Sequence, residues 1–255
     1  MKHLKIFETT PEYNAFKLTE NFATPNVSLC EDAPTVMHYE PYVAPVAPVQ
    51  THEWVEIGGI KWATMNIGAN SITDTGLYFQ WGDTQGYTAS QVGSGEGQKY
   101  FGENDCIYYN GGSYTKYNAG DSLITLESTD DAVKAAWGGN WRMPTVSEFI
   151  ALGEAVTSAW TADYQGSGVA GVVLTSNADG ATLFFPACGY ANYGSVSNVI
   201  SNGYYWSSSL NADCGGSDAY YLYFSNGGVN WDSDDGSRCC GYLVRGVLDL
   251  DDSNS

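Results

Sequence analysis

The chain of 255 residues predicts an α+β fold preceded by an extended N-terminal segment. Three observations point there. Two segments near the middle carry helix-start chemistry, short β-rich runs separated by glycine turns lie on both sides of them, and Pro25, Pro34, Pro41, Pro45 and Pro48 crowd the N-terminal part.

Proline fixes φ and removes a backbone donor, so that density excludes long helices. The run Tyr42-Val-Ala-Pro-Val-Ala-Pro-Val-Gln50 reads as a semi-rigid linker. Residues 1–50 are therefore expected to be an anchoring segment and linker, and residues 51–250 one domain. Trp54-Val-Glu-Ile-Gly-Gly-Ile-Lys-Trp-Ala63 places a Gly-Gly turn between two β-rich runs and predicts a hairpin. Aromatic strands and glycine turns follow between Gly76 and Asn118, without a readable order.

A first helix is expected from Thr129 or Asp130 to Trp137, stopped by Gly138-Gly139, and a second from Thr145 to about Val156. The second carries a capping box, Thr145 with Glu148, and an apolar face of Phe149, Ile150 and Leu152. Beyond Gln165 short strands are predicted at Gly171–Leu174, Ala181–Phe185, Tyr204–Trp206, Ala219–Phe224 and Leu243–Val247.

Composition narrows the function. The 29 acidic against 10 basic residues give a net charge of -19, which repels phosphate backbones and anionic lipids. Nucleic acid is not an expected partner. No apolar stretch has the length of a signal peptide core or a membrane helix, so neither membrane insertion nor a signal peptide is expected, and synthesis is placed in the cytoplasm. Cys30, Cys106, Cys188, Cys214, Cys239 and Cys240 show no CxxC and no regular spacing, so they read as reduced thiols. The three histidines, His3, His38 and His52, precede the domain's first β-rich run, which argues against a histidine-based acid-base mechanism within it.

Four motifs occur in order: Trp137-Gly-Gly-Asn-Trp-Arg-Met-Pro-Thr-Val-Ser-Glu-Phe149, Phe184-Phe-Pro-Ala187, Tyr205-Trp-Ser-Ser-Ser209 and Val244-Arg-Gly-Val247. In these the chain resembles C-type-lectin-fold proteins related to the Fibrobacter major paralogous domain, and within them the variable proteins of diversity-generating retroelements. The resemblance spans Glu53 to Leu248 and implies a C-type-lectin-like fold, with two helices, short antiparallel sheets and long loops. It makes Trp141 and Trp206 core aromatics, and gives Arg238 and Arg245 carboxylate or backbone carbonyl partners. It also implies that asparagine codons near the gene's 3′ end are rewritten at their adenines, a change that cannot yield Lys, Glu, Gln, Met or Trp. The first 165 residues hold 7 Lys, 12 Glu, 6 Gln and 4 Met, and the last 90 hold none. That depletion begins near Gly166, ahead of the segments expected to vary, so part of it reflects a Gly/Ser/Val-rich strand region.

Within a variable region of about 187–247, the candidate ligand-binding residues are Tyr190, Ala191, Asn192, Tyr193, Tyr204, Leu210, Asn211, Ala212, Asp213, Cys214 and Tyr221. Asp232, Ser233, Asp234, Asp235, Ser237, Cys239, Cys240 and Tyr242 complete the set, with Trp231, Arg238 and Gly241 as fixed scaffold. Tyrosine with small polar residues is the mixture a paratope uses: large rigid contact area beside adaptable hydrogen bonding.

The formylglycine-generating enzymes share the implied fold, but their metal-binding cysteine context is not reproduced, so no catalytic residue and no enzyme activity are expected. Asp213, Asp218, Asp232, Asp234 and Asp235 offer oxygens to a hard cation, yet calcium needs six to eight converging ligands. No cofactor is expected, a structural calcium ion being the one left open. Finally, Asn26-Val-Ser-Leu-Cys-Glu-Asp32 and His38-Tyr-Glu-Pro-Tyr42 are similar to leaders of virion proteins from phages and prophages of gut Bacteroides-type bacteria.

The expectation is a hypervariable receptor-binding or adhesion protein on a phage particle. It would bind a host surface protein or glycan, meet other virion proteins through its N-terminal segment, and be open to homo-oligomerisation. The alternative is a fixed structural decoration or adhesin subunit. A binder should expose Tyr190, Tyr193 and Tyr242 together on one face, and a structural subunit should bury them.

Overall fold

The structure, a computed structural model, describes residues 52–249. The anchoring segment, the linker and Cys30 lie outside the described residues. β1 (Trp54–Ile57) and β2 (Ile60–Asn66) form the expected hairpin, Ile57 opposite Ile60, with Gly58 and Gly59 at φ of 62° and 79°. Two consecutive positive φ values suit a two-residue turn and the twist of its strands, which is why glycine occupies both positions. A small hairpin follows, β3 (Tyr109–Asn110) with β4 (Ser113–Tyr114).

Helix α1 spans Ala132–Trp137; the Asp131 side chain caps it, accepting from the amides of Val133 and Lys134, and Gly138 at φ 67° ends it. After β5 (Trp141–Arg142), α2 runs Val146–Ala155 with its capping box formed: the Glu148 amide donates to Thr145 Oγ1, and the Thr145 amide donates to Glu148 Oε2. Arg142 clamps the same carboxylate at 2.6 Å, holding Glu148 below the usual carboxylate range although burial pushes it up.

The rest is strand: β6 (Val156–Thr161), β7 (Gly171–Ser176), β8 (Thr182–Pro186), β9 (Cys188–Asn192), β10 (Ser195–Val199), β11 (Asn202–Asn211), β12 (Asp218–Ser225), β13 (Gly228–Ser237) and β14 (Arg245–Leu248). The sheet orders are β1-β2-β14-β5, β3-β4, β6-β7-β8 and β10-β9-β11-β12-β13.

This overturns the expected α+β, C-type-lectin-like fold class. Among the described residues two helices of 6 and 10 residues stand against fourteen strands, and the fold is β-rich. The physical reason lies in the region 187–247. Short strands at 204–206, 219–224 and 243–247 between loops were expected there, but β11, β12 and β13 are 10, 8 and 10 residues long, and β12 pairs along its length with both of the others. Asp232-Ser-Asp-Asp-Gly-Ser237 has poor strand propensity, yet pairing with β12 holds it extended; tertiary context outweighs propensity there.

Two buried clusters fill the fold. One is largely aliphatic and includes Ile57, Leu152, Val172, Leu174, Leu183, Phe185 and Leu222. The other, called the aromatic cluster below for its half-buried tyrosine edge, includes Phe79, Trp81, Tyr117, Trp141, Trp206, Tyr221 and Tyr242 beside Leu126, Val133 and Val244. Trp231 packs on α2, where a Cβ on Gly153 would meet its indole at 2.7 Å, so the helix can approach only with glycine there.

A tyrosine face on the five-stranded sheet

Strand alternation assembles the site. β11 and β12 pair so that Tyr204 lies opposite Tyr223 and Trp206 opposite Tyr221. Side chains two apart share a sheet face, so the four rings point to the same side. An antiparallel bridge between Ala191 and Gly241 brings Tyr190, on β9, and Tyr242 to the same place. Ring centroids lie 4.8 Å apart for Tyr190 and Tyr204, 5.2 Å for Tyr204 with either Tyr223 or Tyr242, and 5.0 Å for Tyr221 and Tyr242. Beneath them Trp206 stacks on Tyr242 at 4.0 Å and donates through Nε1 to the Phe79 carbonyl at 2.9 Å.

Burial grades outward: Trp206 is fully buried, Tyr242 and Tyr221 are 5% and 7% exposed, and Tyr190, Tyr204 and Tyr223 are half-buried. The hydroxyls are oriented. Tyr221 donates to Asp235 Oδ1 at 2.7 Å, Asn198 Nδ2 donates to the Tyr204 hydroxyl at 3.1 Å, and Asn202 Nδ2 donates to that of Tyr223 at 2.6 Å. Burial raises the Tyr204, Tyr221 and Tyr242 hydroxyls above the usual tyrosine value, and Asp235 adds to each rise. All three are neutral at pH 7.

Arg238 and Cys239 anchor the neighbouring loops. The Arg238 guanidinium is buried, 4.1 Å from the Tyr114 ring and 4.8 Å from Trp81, and donates to the carbonyls of Tyr117, Gly216 and Lys116. Burial lowers it to about 10, which leaves it charged at neutral pH. Arg245 likewise donates to the carbonyls of Ala63, Thr64 and Phe184 and to Asn66 Oδ1. Both arginines therefore choose carbonyls over carboxylates.

Cys239 forms a disulfide with Cys106, Cα atoms 4.9 Å apart, which corrects the expectation of reduced thiols for these two. The pair is separated by 133 residues, and spacing along the chain carries no trace of such a contact. Cys188, Cys214 and Cys240 are free; burial raises the Cys240 thiol to about 11 and keeps it protonated. A cleft of about 500 Å³ beside the disulfide is lined by Glu103, Tyr109, Tyr114, Ser217 and Ser237 among others.

Of the candidate residues, the fold brings Tyr190, Tyr204, Tyr221 and Tyr242 into one ring cluster, with Asp235 bonded to it and Ser233 opposite Tyr221 in register. Tyr193 is 61% exposed but meets Tyr100, at 5.9 Å, and Asn192 is half-buried at the end of β9. Ala212, Asp213, Cys214, Asp232 and Asp234 are exposed, and Ser237 is half-buried at the end of β13. Ala191, Leu210, Asn211, Cys239 and Cys240 are buried. Asn211 behaves as scaffold, accepting from the Asp213 amide and donating to the Asp234 carbonyl. The burial test thus divides: Tyr193 is exposed, Tyr190 half-buried and Tyr242 buried.

Sequence reasoning missed Tyr223, Asn198 and Asn202. Tyr223 was within reach, since it stands two residues from Tyr221 on a strand. The asparagines gave no local signal. Among the described residues no group of three or more His, Cys, Asp or Glu is placed to hold a metal ion.

Residues 173–245, from within β7 to the start of β14, match the model of a family described as a domain of unknown function (DUF8237). No curated protein and no solved structure matches the chain.

Proposed function

We propose that this chain is a ligand-binding protein of the receptor-binding or adhesion kind, diversified by a retroelement and displayed on a phage particle, with the tyrosine face as its contact surface. The observation that carries the reading is convergence: Tyr190, Tyr204, Tyr221 and Tyr242 come from four separate stretches of chain, each is reachable from an asparagine codon by adenine change, and their rings meet in one cluster. The exposed Asp235, bonded to Tyr221, and Ser233 opposite that tyrosine in register add small polar groups to the rings, giving the aromatic and small polar mixture of a paratope. On a particle, many weak copies would hold a host surface protein or glycan by avidity.

The test is to sequence the DNA flanking the gene. A reverse transcriptase beside a near-copy of the 3′ end, with asparagine codons at positions 190–193, 204, 210–214, 221 and, apart from the fixed Arg238 and Gly241, within 232–242, is the expected result. Absence of both would overturn the reading.

A second reading, a fixed structural decoration or adhesin subunit, draws on the burial of Leu210, Cys239, Cys240 and Tyr242. Random replacement at such positions would damage packing, so that reading expects these residues to stay constant among otherwise divergent copies of the gene.

A further inference from the structure

We infer that the group this face receives is an arginine side chain carried on a basic protein segment, its guanidinium seated on the Tyr204 ring beside Asp235. This rests on the ligand-binding reading above and names the chemistry of the ligand.

The charges of the region are one-sided. Seven of the ten Lys and Arg lie among the described residues, and every one is engaged away from the tyrosine face. Lys99 pairs with Asp105, Lys116 with Glu127 and Asp130, and Arg142 with Glu148 and Asp249. Lys61 lies over Trp54, Lys134 donates to the Gly139 carbonyl, and Arg238 and Arg245 are buried on carbonyls. Against this, Asp235 makes no ion pair among the described residues, while Asp213, Asp232 and Asp234 act on Tyr220, which leaves β12 on the opposite face. Asp235 uses Oδ1 on the Tyr221 hydroxyl, and Oδ2 has no partner among the described residues.

The aromatic part supplies the other half of the recognition. Tyr204 stands at the centre of the cluster, touching the rings of Tyr190, Tyr221, Tyr223 and Tyr242, and is itself half-buried. A tyrosine ring attracts a cation to its face. A planar guanidinium can stack on such a ring and direct an N–H at a carboxylate in the same pose, which an ammonium does less well. The Asp235 charge raises the Tyr204, Tyr221 and Tyr242 hydroxyls together, so its field reaches the whole cluster. An anionic ligand would meet the Asp235 carboxylate and no cation, and a neutral one would leave that charge uncompensated. Charge complementarity therefore selects a basic partner.

The experiment is an NMR titration of the full chain, observing tyrosine ring signals, with a blocked Gly-Arg-Gly peptide and its citrulline counterpart, which keeps the shape and loses the charge. Saturable shifts at Tyr204 and Tyr190 are expected with the arginine peptide, binding at least about fivefold weaker with citrulline, and a loss of about fivefold in Asp235→Asn. Equal binding of the citrulline peptide overturns the inference, as does an arginine peptide that leaves Tyr204 unshifted. The citrulline comparison needs no substitution, so it decides even if Asp235→Asn perturbs folding. The two proposals fail separately: a methyl glycoside that shifts Tyr204 where the arginine peptide does not sinks the cation and leaves the binding face standing, whereas the flanking DNA decides diversification whatever the titration shows.

Discussion

The two buried clusters solve the same problem with different residues. The aliphatic one, with residues from α2 and the β6-β7-β8 sheet, is built mainly from Val, Leu, Ile and Phe, with Trp62, Tyr78 and Tyr205 fully buried among them. The aromatic one ends in Tyr190, Tyr204 and Tyr223, whose rings continue the core while remaining half-buried. Beside each lies one buried arginine bonded mainly to backbone carbonyls, Arg245 adding Asn66 Oδ1 and Arg238 leaving Nε without a partner among the described residues. What differs is the edge. A leucine core must be covered, but a tyrosine core can stop at the surface, because the ring packs and the hydroxyl faces water or a neighbour. Packing and recognition can therefore share residues only in the aromatic half, and all the candidate ligand-binding residues that belong to a core fall there except Ala191.

Truncation in the closed half should cost most. Phe185→Ala removes a fully buried ring at the centre of the aliphatic cluster, beside Tyr205 and under Arg245, and should lower stability by about 3 to 5 kcal/mol in denaturant unfolding. The disulfide comes next. Cys106→Ser releases a link across 133 residues and should cost roughly 2 to 4 kcal/mol, seen as a matching drop when the native protein is reduced. Tyr242→Asn should cost less than Phe185→Ala, about 2 kcal/mol, because neighbouring rings at a surface edge can relax into the space. If the two substitutions cost the same, the contrast between the cores fails and the structural-subunit reading gains.

Much of the closed half was legible in the sequence; of the open half the strands at 204–206 and 219–224, the helix ending at Trp137 and the core tryptophans Trp141 and Trp206 were legible, but not how they join. The Gly-Gly hairpin, the capping box of Thr145 and Glu148, and the strands at 171–176 and 182–186 follow from local rules, since period and end chemistry are written in adjacent residues. The Cys106–Cys239 link depends on a partner 133 residues away, which no window of sequence displays, whereas β13 pairs with its sequence neighbour β12 across Asn226-Gly227, a hairpin signal the sequence reading passed over. Residue type and codon logic marked Tyr190, Tyr204, Tyr221 and Tyr242 as candidates, but nothing local showed that their rings meet. Fold class failed for the same reason: polar, glycine-rich segments read as loops until a neighbouring strand holds them extended.

Acid should act on both halves through one carboxylate each. Asp130 accepts from Tyr108, Tyr117 and Lys116 beside the aromatic cluster, and Glu148 is clamped by Arg142 at the cap of α2. Burial pushes each up, yet these donors hold both below the usual carboxylate range. An acid whose folded value is depressed contributes stability that is complete above its unfolded value, about 4, and is lost as pH falls through the folded one. Stability should thus fall below about pH 4. Glu148→Gln, costing about 1 to 2 kcal/mol at neutral pH, should flatten that slope; an unchanged slope would remove Glu148 from the account.

The smallest stability effect should come with the largest effect on binding. Tyr204→Asn restores the residue from which adenine change is proposed to start, and removes a half-buried ring without opening the core beneath, since Trp206 and Tyr242 remain stacked on each other. A loss under about 1 kcal/mol in unfolding is expected, within the ordinary range for a partly exposed position. The same substitution deletes the ring on which the guanidinium is placed and with it the contact that links Tyr190 to Tyr223, so shifts from the arginine peptide should vanish. A variant that unfolds readily would show Tyr204 to be scaffold and return the face to the core. A variant that folds and still binds would move the contact surface off the tyrosine cluster, with the exposed aspartates around Tyr220 on the opposite face of β12 as the next surface to test.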